Sequence, residues 1–167
     1  MSKASKLAEA RQKHHEATHR EDVGEPVMNL DASDVWRKGL APLLTLEQLE
    51  RLRVALVTND PRLEQGVTVL PRPASEDDPG EATAGCLIGF CAMGEYRRSA
   101  DIEGYFAYTC AEIDTRMSEQ AAARHLLNFW DDNPRDVVRA DLLTEVQRTL
   151  AERRADLVNF WEAKEQE

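Results

Sequence analysis

Thr83-Ala-Gly-Cys-Leu-Ile-Gly-Phe-Cys-Ala-Met-Gly94 is the one long apolar run in the chain, and it holds two of its three cysteines. Its length and its small residues predict a helix from about Thr83 to Arg97 at the centre of a core. Gly85, Gly89 and Gly94 are not spaced as a phosphate-binding loop. On a helix they permit close packing, so Gly89 is expected at a helix–helix contact.

The neighbouring segments set the frame. Pro71-Arg-Pro-Ala-Ser-Glu-Asp-Asp-Pro-Gly80, just upstream, reads as a loop, because three prolines and three acids oppose regular structure. Before it, Val67-Thr-Val-Leu70 is the only β-like run. Thr45 with Gln48 three residues later forms a capping-box signature for a helix whose apolar face carries Leu46, Leu49, Leu52, Val54, Leu56 and Val57, ending at Asn59-Asp-Pro61. Asp31 or Ser33 can cap a short helix stopped near Gly39–Pro42. Downstream, residues 102–113 carry Ile102, Tyr105, Phe106, Cys110 and Ile113, a spacing that fits a helix and an aromatic content that fits a strand. Ser118 is placed as the cap of a helix through Trp130, and Asp136 as the cap of a last, long helix to about Lys164. The whole is expected to be mostly α, a single-domain helical bundle with one long loop and a short β element near 67–70. Its parts are a polar N-terminal arm (1–24), a helical core (25–135) and a C-terminal helix (136–167).

Charge narrows the partners. The chain has net charge −10. Residues 1–20 carry five Lys/Arg against two Asp/Glu, so the acidic excess lies entirely in the rest. That body repels nucleic acid, and no nucleic-acid partner is expected. No run of about 18 apolar residues is present, so no membrane association is expected. The absence of an apolar h-region and an odd number of cysteines without framework spacing favour a cytoplasmic setting.

Two short motifs resemble a group of small, uncharacterised proteins of bacteriophages and actinobacteria. The first is a "T-A-x-C-h-x-G" helix, matched by Thr83, Ala84, Cys86, Leu87 and Gly89. The second is a later "[ST]-x-E-Q-A-A" helix, matched by Ser118, Glu119, Gln120, Ala121 and Ala122. The resemblance covers about residues 45–134. It implies a small helical protein of phage or mobile-element origin and carries no activity with it.

Few constellations point to chemistry. His15-Glu-Ala-Thr-His19 matches H-E-x-x-H, which on a buried helix places two imidazoles on one face for zinc. Here the surroundings are polar and no third ligand is well placed, so His15 and His19 are only candidate ligands. No metal or cofactor is expected. Cys86 near a helix N-terminus, with His125 as base, is the thiol candidate. His125 with Asp131 and Asp132 could suggest acid–base work, but reads better as helix packing and capping. No catalytic residue is assigned.

The last helix carries the strongest signal. Leu143, Val146, Leu150, Leu157 and Phe160 follow a heptad-like spacing, with Arg153 at the position where an apolar residue is missing and Trp161 beside the last of them. These six apolar residues are the expected partner-binding surface, and a homodimer the expected assembly. The function anticipated is non-enzymatic protein–protein interaction, as a phage or mobile-element accessory. An acidic inhibitor occupying a host nucleic-acid-binding site and a thiol- or zinc-dependent hydrolase are the alternatives.

Overall fold

The computed structural model describes residues 30–72 and 80–166. The N-terminal arm, with His15 and His19, and most of the Pro-rich loop lie outside the described residues. The fold is mostly helical with a small two-stranded antiparallel sheet.

Asp31 opens α1 by accepting the Ser33 N–H at 3.1 Å. This element begins as one α-helical turn (Ala32–Asp34), widens into a π-helical turn (Val35–Leu40) and closes as a 3-10 turn (Ala41–Leu43). Gly39 does not stop it. A Cβ there would sit 2.9 Å from Ile113 Cγ2, so glycine lets a neighbouring helix pass close.

The capping box forms as expected. Thr45 Oγ1 accepts the Gln48 N–H at 3.1 Å and Gln48 Oε1 accepts the Thr45 N–H at 2.9 Å, starting α2 (Leu46–Thr58). Asn59, left-handed at φ 53°, ends it. The buried face is Gln48, Leu49, Leu52, Ala55 and Leu56; Leu46, Val54 and Val57 point outward. At 100° per residue, Val54 and Val57 fall roughly 160° and 140° from the centre of the buried stripe, on the opposite side of the helix.

The central run differs from its expected form. Ala82–Gly85 is a strand, β2, paired antiparallel with β1 (Val69–Pro71) in the register Val69 to Gly85 and Leu70 to Ala84. Only Leu87–Ala92 is helical; this is α3, with Cys86 as its extended N-cap. Thr83 to Gly85 give their backbone to the sheet, and the Gly85 N–H also donates to Arg62 O at 2.8 Å. Non-local pairing overrides the local helical tendency of this small-residue run. Gly89 touches the loop before β1 more closely than any helix: a Cβ on it would lie 2.3 Å from Thr68 O, and 3.7 Å from Ile102 Cγ2 of the next helix.

That next helix, α4 (Ser99–Met117), resolves the helix-or-strand alternative. Ser99, Ile102, Thr109 and Ile113 are buried at helical spacing. Ser118 ends α4 in a left-handed conformation (φ 52°) and does not cap the following helix, so α5 (Ala122–Asp132) starts later than expected. Asp114 Oδ1 accepts the Ala123 N–H at 2.8 Å and does the capping instead. Both resemblance motifs therefore lie on junctions: strand to helix at 83–89, helix to helix at 118–122.

The last helix, α6, spans Arg135–Glu165, with Pro134 as N-cap and Asp136 in its first turn. Val138, Leu142, Val146 and Leu150 of α6 belong to the same core as Trp36, Leu52, Leu87, Ile113 and Trp130. Among the described residues no helix is long and apolar enough to cross a membrane.

Candidate interaction surface

Helix α6 is far longer than anything it packs on. Its 31 residues span about 46 Å at 1.5 Å per residue, against about 20 Å for the 13 of α2. The two run antiparallel. At the start of α6, Arg135 donates to Asn59 Oδ1 at 2.8 Å and to Asp60 O at 3.0 Å, at the end of α2. Farther along, Arg154 pairs with Glu50 of α2, which also takes Arg53 at 2.9 Å. Both arginines hold the Glu50 carboxyl below its ordinary range, Arg53 most strongly.

Against α1 the helix is fixed by polar groups. The Trp36 indole N–H donates to Thr149 Oγ1 at 3.1 Å, and that hydroxyl donates to Glu145 O at 2.9 Å. Glu145 accepts two bonds from the Arg37 guanidinium, each 3.0 Å, and pairs with Arg148. Arg37 above all lowers the Glu145 carboxyl below its usual pKa of 4.5. A carboxyl lowered on folding stabilises the fold above that value and loses the contribution as pH falls through the folded pKa. Asp114, raised chiefly by burial, works in the opposite sense, because acidification removes the penalty of burying its charge. Glu145→Gln is accordingly expected to cost about 1 kcal/mol or less near neutral pH, since Arg37 is half-exposed and screened. The variant should also lose less stability than the parent below pH 4.5, as read by denaturant titration at a series of pH values.

Arg153, at the position where the seam lacks an apolar residue, has a specific task. Its guanidinium donates to Leu44 O and to Ala41 O, both at 2.5 Å, satisfying carbonyls where α1 ends. Arg154 still pairs with Glu50 of α2, and beyond it every residue from Ala155 to Gln166 is exposed; the eleven helical residues of that stretch are about 16 Å long.

The seam therefore divides. Val146 and Leu150 are buried in the chain's own core and Leu143 packs partly against it, so these three of the six expected partner-binding residues already have their contacts. Leu157, Phe160 and Trp161 are 48%, 51% and 61% exposed, and Val158, missed by the seam spacing, is 54% exposed. Phe160 and Trp161 meet edge to face at 5.5 Å, and Lys164 Nζ lies 5.1 Å from the Phe160 ring centroid. Four large apolar side chains within five residues, on a projecting helix, form an exposed apolar patch of the kind that marks contact sites.

The thiol and histidine candidates are placed elsewhere. Cys86 is fully buried, and its Sγ accepts the Gly89 N–H at 3.5 Å. Burial pushes the thiols of Cys86 and Cys91 up to about 12, and also raises Cys110. His125 lies with Ser33, Trp36, Phe129, Asp141 and Glu145 in an open groove of about 550 Å³ between the start of α1, α5 and α6. Cys86 does not line that groove, so the structure does not bring the proposed pair together. Asp131 uses Oδ1 to accept the Gly66 N–H at 2.8 Å, tying α5 to the loop before β1. Among the described residues no group of three or more His, Cys, Asp or Glu is arranged to hold a metal ion. Native labelling of Cys86 and Cys91 by a disulfide reagent at pH 8 should proceed only as fast as the chain opens, because the attacking species is the thiolate. Immediate labelling of either would contradict their burial.

Gln48 does more than cap α2. Gln48 is 2% exposed and uses its side-chain amide to donate to Cys91 O at 3.2 Å and Tyr105 Oη at 3.3 Å, joining α2, α3 and α4. Gln48→Leu should cost about 1–3 kcal/mol in chemical denaturation, because it leaves a cap N–H and buried acceptors short of a partner.

Comparison of the chain with protein-family models, with curated proteins and with solved structures found no match.

Proposed function

We propose that this chain is a non-enzymatic protein-interaction protein that works through the projecting end of α6, with self-association as its main use. The observation that carries the reading is the exposure of Leu157, Val158, Phe160 and Trp161 on a helix that outruns its own domain. A stretch this apolar has little reason to be extended into water unless something covers it. Aromatic residues of this size are also the ones that contribute most at contact centres.

The rest of the molecule favours the same direction. The cysteines are free thiols, buried or half-buried, and burial holds them protonated, a poor state for a nucleophile. Free thiols suit a reducing, cytoplasmic setting. The resemblance of residues 83–89 and 118–122 to small phage and actinobacterial proteins supports an accessory role. The acidic body disfavours nucleic acid as the partner.

The test is a paired binding experiment. The full chain and its Leu157→Ser/Trp161→Ser variant are immobilised and offered the purified chain and a native lysate of a producing cell. The reading expects at least one species, the chain itself or another protein, to be held by the parent and lost by the variant. Identical retention by both would overturn it.

A further inference from the structure

We draw no further inference here: the strongest candidate, the open groove of about 550 Å³ between the start of α1, α5 and α6, carries nothing, because of its carboxylates Glu145 is already paired with Arg37 and Arg148 and Asp31 accepts the Ser33 N–H, and nothing in the structure shows what would fill it.

Discussion

Leu150→Glu should unfold the chain, and Leu157→Glu should leave it folded. The two leucines are one heptad apart on α6 and look equivalent in the sequence. Leu150 is 2% exposed within the core that includes Val146 and Trp130, whereas Leu157 is 48% exposed. The first substitution removes a buried side chain, worth about 2–5 kcal/mol in leucine-to-alanine series. It also places a carboxylate among apolar groups with no designated partner, at a further cost of several kcal/mol. Domains of this kind have about 5–15 kcal/mol in total. Far-ultraviolet circular dichroism should therefore show collapse of the helical signal for Leu150→Glu, and near-parental helicity for Leu157→Glu. A folded Leu150→Glu would mean that α6 does not pack as described.

The second large effect is at Gly89. A Cβ there meets Thr68 O at 2.3 Å, and that oxygen is backbone, fixed by accepting the Cys86 N–H at 3.2 Å. Relief requires α3 to move away from the loop before β1, so Gly89→Ala is expected to cost about 3 kcal/mol despite alanine's better helix propensity. Gly104, in the middle of α4, has nothing within 4 Å of its would-be Cβ. Gly104→Ala should therefore stabilise by about 1 kcal/mol. Opposite signs for the two replacements in urea denaturation would verify the packing of α3. A neutral Gly89→Ala would show that the close approach to Thr68 is absent.

Some local signals carry through to the structure and others do not. The Thr45–Gln48 capping box and the stop at Asn59 depend on residues within one helical turn of each other, so both are visible in the chain itself. Thr83–Gly85 looks helical because it leads without a break into the apolar run that does form α3. Its strand exists because Val69–Pro71 lies beside it, a fact that no window around residue 84 contains. Ser118 has the side chain of an N-cap, but its backbone turns left-handed to end α4, and the capping carboxylate comes from Asp114 instead. The apolar seam of α6 is visible in part: Val146, Leu150, Leu157 and Phe160 follow the spacing, whereas the buried Val138 and Leu142 and the exposed Val158 lie outside it. Its division into a buried and a free half is not visible, because that depends on where α1 and α2 end beneath it. Arg153 was the one hint: an arginine in an apolar seam marks the edge at which the core gives way to carbonyls that need a donor.

The central claim is that the free end of α6 is a contact surface used between copies of this chain. Sedimentation velocity of the full chain, over a hundredfold range of concentration and beside the Leu157→Ser/Trp161→Ser variant, tests it most directly. The account predicts a parent that shifts from monomer to dimer as concentration rises, and a variant that stays monomeric with its circular dichroism and thermal unfolding unchanged. A parent that remains monomeric at the highest concentration, or a variant that dimerises as well as the parent, would contradict it.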